Sequence, residues 1–273
     1  MIKKETIKIE KDKGPIFIGG QMKSGTTMLR ALLSQHKNIF GGLETHWFNI
    51  DINAQREDEK IKKLALFYEF DENQIDEIFQ NYNQTNKHFI DVFLSYAARN
   101  KSKERWIEKT PQNIDNIELM QKNWESFYFI HVLRDFRDMY ASWKGSGKCN
   151  VDAFVEIVKI SYQNFDKYRS SKNYLEVKYE DIVVETEGCI DNILNFLNED
   201  LDGNCYKINT NNSKVEFDKV RKITGKESNT LKSTQRPIFN TKIAQYKKIL
   251  TIEEIDTIEQ ELGEFFYMFE YNI

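Results

Sequence analysis

Short apolar runs separated by helical patterns recur along the chain. The first, Pro-Ile-Phe-Ile-Gly at 15–19, is β-branched and aromatic and closes on glycine, which predicts a buried strand. Met28, Leu29, Leu32 and Leu33 then fall at the spacing of one helix face, so 26–35 predicts a helix. Short strands are predicted near 38–40 and at 105–108, the latter stopped by Pro111. The run Phe-Tyr-Phe-Ile-His-Val-Leu at 127–133 predicts a strand followed by a helix over 136–143. The last strand is predicted at 174–177, with a helix over 187–197 behind it. Strands alternating with helices imply an α/β fold, a central parallel sheet flanked by helices on both faces.

Three stretches depart from that rhythm. Residues 54–100 are charged and largely helical, and read as a helical insert, a lid or side layer on the acceptor side of a single domain spanning 1–273. Residues 204–240 are rich in Asn, Ser, Thr and Lys, which predicts irregular chain. Residues 251–267 predict a closing helix, with Thr251 as N-cap and Glu253 and Glu254 in its first turn.

Composition narrows the class. Hydrophobic residues make up 40% of 273, with Phe 19, Tyr 13 and Trp 4, enough to build a core and to exclude a disordered chain. Lys+Arg 39 against Asp+Glu 43 leaves a net charge of -4, so there is no global basic field for nucleic acid or anionic lipid, and any anion site must be local. No stretch approaches the roughly 18 apolar residues of a membrane span, and the first residues lack the apolar run of a signal peptide. The expectation is a cytoplasmic protein. Cys149, Cys189 and Cys205 form no CxxC pair and sit near no histidine cluster, which indicates neither a disulfide framework nor zinc.

Candidate chemistry begins where the first strand gives way to the first helix. Gly20-Gln21-Met22-Lys23-Ser24-Gly25-Thr26-Thr27 would aim backbone N–H groups and a helix N-terminus at an anion. Its glycine spacing matches the phosphate loop of nucleotide triphosphatases, except that Thr26 occupies the lysine position and the lysine stands upstream at Lys23. Where a strand-end aspartate would hold magnesium, the strand at 127–133 runs into Arg134. A metal-free phosphate site built on lysine and an arginine fork fits both departures.

These residues resemble the P-loop sulfotransferases. Gly20 to Thr27 is similar to their 5′-phosphosulfate loop, and 133–142, with Arg134 and Ser142, to their 3′-phosphate segment. The likeness continues through 106–111 and 177–182, and more loosely from Arg236 to Lys248, sparing the insert and the polar stretch after 204. It implies a P-loop-type sulfotransferase fold with 3′-phosphoadenosine 5′-phosphosulfate (PAPS) as sulfuryl donor and no metal. Met28 stands where the cytosolic branch carries an adenine-stacking tryptophan, which moves the likeness toward the tyrosylprotein, carbohydrate and bacterial branches.

The resemblance assigns roles. Gln21, Met22, Lys23, Ser24, Gly25, Thr26 and Thr27 would hold the 5′-phosphosulfate, with Lys23 on the bridging and leaving oxygens; Arg134 and Ser142 would hold the 3′-phosphate, and Tyr179 would lie near the nucleotide. A hydroxyl acceptor needs a base, and Glu44, just after the second strand, is the first candidate, with His46 its rival. Lys109, at a strand end, would reach the transferring group or pair with Glu44, whereas Glu108 reads as structural or acceptor-side. Two other readings stay open, a nucleotide-dependent kinase with an unusual loop and a non-catalytic nucleotide-binding module. The acceptor is equally open: small molecule, carbohydrate, peptide or lipid, at oxygen or nitrogen.

Overall fold

The computed structural model describes residues 13–49, 54–84, 88–145, 147, 150–162, 165–238 and 241–273; Cys149 and the lead at 1–12 lie outside them. In chain order the elements are β1 (Ile16–Gly19), α1 (Thr26–Leu33), β2 (Ile39–Gly41), α2 (Glu59–Tyr68), α3 (Glu72–Asn83) and α4 (Phe89–Arg99). Next come β3 (Arg105–Lys109), α5 (Ile117–Asn123), β4 (Tyr128–Leu133), α6 (Phe136–Lys144), α7 (Val151–Tyr162) and α8 (Asp166–Arg169). β5 (Tyr174–Lys178), α9 (Tyr179–Val184), α10 (Thr186–Phe196), α11 (Thr210–Thr224), α12 (Asn229–Ser233), α13 (Tyr246–Ile249), α14 (Ile252–Glu261) and α15 (Gly263–Met268) complete the chain.

The five strands form one sheet in the order β2-β3-β1-β4-β5, with every neighbouring pair parallel. Central β1 pairs Ile16 with Ile107 on one side and with Tyr128 on the other. Because strand side chains alternate, each strand serves two cores. Ile16 and Ile18 join Leu29, Leu32 and Leu33 of α1 and the apolar face of α10. Phe17 turns the other way, into a cluster that also takes Trp47, Trp106, Phe136 and the α4 residues Phe89 and Phe93. The insert is thus packed into the same core as the sheet. Both faces being covered, the strands read as almost unbroken apolar runs.

A parallel sheet brings all its C-terminal ends to one edge. Gly19, Gly41, Lys109, Leu133 and Lys178 end there, and because β3 and β4 lie on opposite sides of β1, a crevice opens above β1.

Two expectations are corrected. The stretch 204–240 is not irregular throughout, since α11 runs 15 residues within it. Asn209 caps that helix by accepting from Asn212 N at 3.1 Å, and Gly225 stops it at φ 68. Its apolar face is only a narrow stripe, Phe217, Val220 and Ile223, hidden among polar residues. The closing helix is two, α14 and α15, broken at Leu262 before Gly263, although Thr251 and Glu254 do form the capping box at its start. Among the described residues no helix is long and apolar enough to cross a membrane.

Phe17 is fully buried, with the rings of Trp124, Trp106, Trp47 and Phe127 at centroid distances of 4.9, 5.6, 5.8 and 5.9 Å. Phe17→Ala should therefore cost about 3–5 kcal/mol in a urea melt; a loss under ~1 kcal/mol would mean that this aromatic cluster does not carry the core.

Candidate active site

The loop after β1 is shaped by two glycines. Gly20 sits at φ +146 with Val132 O only 2.4 Å from where a Cβ would be, so the chain can turn across β4 only without a side chain. Gly25, at φ +108, caps α1 with no side-chain hydrogen bond, and a Cβ there would meet the Tyr179 ring at 2.6 Å. The first-turn N–H groups of α1 consequently face the crevice, the arrangement that attracts an anion.

A cleft of about 530 Å³ lies over this loop. Of the residues singled out from sequence, Met22, Lys23, Gly25, Thr26, Thr27, Glu44, Arg134, Ser142 and Tyr179 line it. Gln21, Ser24 and Lys109 are buried behind it, at 5%, 0% and 2% exposure. The Ser24 hydroxyl has no hydrogen-bond partner within the chain, nor does Arg134 Nε. Arg134, at the end of β4, donates from Nη1 to Lys23 O at 2.9 Å and from Nη2 to Lys242 O at 2.8 Å, and its guanidinium carbon lies 4.3 Å from the centroid of the Tyr179 ring. It thereby joins the glycine loop to the chain near 242.

Sequence reasoning passed over Lys242, which also lines the cleft. Burial, then the neighbouring charges of Arg134, Lys23 and Arg236, push the Lys242 ammonium below its usual value. Four cations therefore converge in a chain of net charge -4. Glu44 is the only carboxylate among the described residues lining the cleft.

Two consecutive residues of β3 fix the segment that carries Glu44. Lys109 Nζ forms an ion pair with Glu44 Oε1 and donates to Thr27 Oγ1 at 3.0 Å. Burial lowers the Lys109 ammonium's pKa, opposed by the Glu44 charge. Glu44, 38% exposed at its side chain, is pushed up by burial but pulled below the ordinary carboxylate value by Lys109, with His46 and Arg30 assisting. Its Oε2 lies 3.8 Å from His46 Nε2. His46 also lines the cleft, at φ 48, edge-on to Phe48.

Glu108, which projects to the opposite face of the sheet, is wholly buried. Its Oε1 accepts from Thr45 N, Thr45 Oγ1 and Thr110 Oγ1 at 3.1, 2.8 and 2.7 Å, and its Oε2 from Asn113 Nδ2 at 2.6 Å. Burial raises its pKa and those donors oppose the rise. His46 N completes the anchorage by donating to Thr110 Oγ1 at 3.2 Å.

The sequence matches the sulfotransferase family over residues 15–203, and the chain belongs to that family. It is an enzyme of that class, which removes the kinase reading. No curated protein matches it. Among solved structures, the sulfotransferase domain of the Synechococcus PCC 7002 olefin synthase is 18% identical with a TM-score of 0.65, covering 95% of each chain. The sulfotransferase domain from the curacin biosynthetic pathway is 16% identical with a TM-score of 0.63, over 95% of this chain and 98% of that one. Mouse sulfotransferase SULT7A1, solved with PAP, is 13% identical with a TM-score of 0.50, over 94% and 86%. At these identities the likeness is one of fold.

Glu108→Gln would set an amide NH₂ against Asn113 Nδ2, whose own Oδ1 is held by Trp47 Nε1 at 2.9 Å. The expected loss is about 1–3 kcal/mol, seen as a lower urea midpoint at unchanged slope; a midpoint equal to wild type would remove Glu108 as the anchor of this segment.

Proposed function

We propose that the chain is a PAPS-dependent sulfotransferase acting on a hydroxyl, with Glu44 as general base. The observation that carries this reading is the convergence of Lys23, Arg134, Arg236 and Lys242 on a glycine loop and helix N-terminus. A nucleotide bearing an anionic group at each end supplies the countercharge such a cleft lacks. The partnerless Ser24 hydroxyl and Arg134 Nε fit it too, because a buried polar group without a partner costs about 1–3 kcal/mol and an anion's oxygens offer acceptors.

Gly25, Thr26 and Thr27 would hold the 5′ end through backbone N–H groups and hydroxyls, and Arg134, Ser142 and Lys242 would hold the 3′-phosphate. Tyr179, already under Arg134, would border the nucleotide. PAPS supplies the sulfuryl group. Lys23 meets charge developing on the leaving oxygen, and Lys109 holds Glu44 in place through Oε1. That leaves Oε2 to accept the acceptor's proton. Acceptors in this reading are small-molecule, carbohydrate or peptide hydroxyls, and the enzyme works in the cytoplasm.

Calorimetry in EDTA should detect binding of 3′-phosphoadenosine 5′-phosphate (PAP), weakened at least about tenfold by Lys23→Ala or Arg134→Ala. Glu44→Gln should bind it normally while losing about 10²–10⁴ in turnover. No binding, or binding only after a divalent ion is added, would refute the donor assignment; normal turnover in Glu44→Gln would refute the base.

The pH profile tests the base independently. A carboxylate held below its ordinary value stays ionised as pH falls toward that value, so the acid limb of kcat/KM should lie below it. In Lys109→Met the main lowering influence is gone while burial still raises the pKa, so the limb should move to higher pH. A wild-type rate that already falls through the range where imidazoles titrate would transfer the role to His46.

A further inference from the structure

A second cavity, of about 460 Å³, meets the cationic cleft at Glu44 and His46, which line both. One wall is a face of α2, where Lys60, Lys63, Leu64 and Phe67 follow the i, i+3, i+4, i+7 spacing. The facing wall is α11, through Val220, Ile223 and Thr224. Leu43 closes the end beside Glu44.

The walls are fastened. Arg30 of α1, buried, pairs with Glu216 of α11 at 2.8 Å and donates to Gly41 O at 3.2 Å. Lys219 of α11 pairs with Glu69 at 2.8 Å, just past the end of α2, and its Nζ sits 5.2 Å from the centroid of the Phe67 ring. The two helices are therefore tied together around the cavity.

From this geometry we infer that the acceptor is an amphipathic alcohol: a hydroxyl reaching Glu44, an apolar body between α2 and α11, and an acidic group meeting Lys60 and Lys63 at the rim. The inference rests on the sulfotransferase reading above and adds the substrate class. Leucine, valine, isoleucine and phenylalanine on opposing walls reward an apolar body by about 25 cal/mol per Å² removed from water. They leave the ring hydroxyls of a sugar without partners, which is costly. Lys60 and Lys63 are exposed on the same helix face, and Lys60 Nζ donates to Asn49 O at 3.2 Å, which holds it over the mouth. Glu44 at the inner end would repel a carboxylate and accept a proton, so the charges orient the molecule with its hydroxyl inward. In the reaction a bond forms from the acceptor oxygen to sulfur while the bond from sulfur to the bridging phosphate oxygen breaks. The hydroxyl proton passes to Glu44 Oε2, and PAP departs.

The test titrates ω-hydroxydecanoate, decanol and glucose into the full chain saturated with PAP, by calorimetry, and repeats each with PAPS under mass spectrometry. Hydroxydecanoate should bind and be sulfated, decanol should bind about five- to tenfold more weakly for want of two exposed ion pairs, and glucose should do neither. Ile223→Glu, on the half-buried wall, should abolish hydroxydecanoate binding and keep PAP affinity within about twofold, the retained affinity reporting an intact fold. Lys60→Gln with Lys63→Gln should bring the acid and the alcohol to equal affinity. PAP is the control that separates two failures. Absence of PAP binding overturns the donor reading; PAP binding with glucose used equally well, or with hydroxydecanoate binding untouched by Ile223→Glu, overturns the acceptor assignment alone.

Discussion

A lysine buried to 2% exposure at the end of a strand must find a counter-charge, and the geometry of this site follows from how Lys109 finds one. Its ammonium takes Glu44 on one side and the Thr27 hydroxyl on the other. One side chain thus couples the segment after β2, the end of β3 and the first turn of α1. The residue before it does the complementary work. Glu108 points to the other face because strand side chains alternate, and it gathers Thr45, Thr110 and Asn113. The segment 44–46 is gripped from both faces of the sheet by two adjacent residues, so the position of the Glu44 carboxylate is set by the strand and not by its own loop. This is how a group 38% exposed can still be held in a defined orientation.

The cation cluster sets the second constraint. Burial in the cleft, and then the repulsion of the like charges brought together there, hold the Lys242 ammonium below its usual value. Arg134 eases that repulsion by spending its guanidinium hydrogens on the carbonyls of Lys23 and Lys242 and lying over Tyr179. The fold thereby accepts an electrostatic cost in one place within a chain that is acidic overall, a cost that the doubly anionic ligand proposed above would relieve.

Much of this was legible in the sequence, for a local reason. Each strand with its following turn is contiguous, so Gly20 to Thr27, Glu44, Lys109, Arg134 and Tyr179 could be picked out from short patterns, and a parallel sheet then brings strand ends together. What escaped was held by distant pairing. Lys242 is an unremarked lysine until Arg134, 108 residues away, reaches its carbonyl. Arg30 reads as a polar position on an apolar helix until Glu216 of α11 meets it. The helix α11 escaped because its apolar stripe is too thin to stand out; only Asn209 at its start and Gly225 at its end could have marked it.

That misreading bears on specificity. The match to the sulfotransferase family ends at residue 203, and within it fall the glycine loop, Glu44, Lys109, Arg134, Ser142 and Tyr179. The α11 wall, with Val220 and Ile223, lies beyond it. In the reading proposed above, the donor's phosphate oxygens need fixed positions, which Lys23 and Arg134, next to the sheet's C-terminal edge, would supply. Choosing among acceptors requires only a wall of suitable polarity at the right distance from the base. Under the acceptor assignment proposed above, a helix tied down by two ion pairs, Arg30 with Glu216 and Lys219 with Glu69, would meet that need without disturbing the sheet. The chain beyond the family match therefore supplies one wall of the second cavity, α11, and two of the four cations of the cleft, Arg236 and Lys242, while the α2 wall lies within the match.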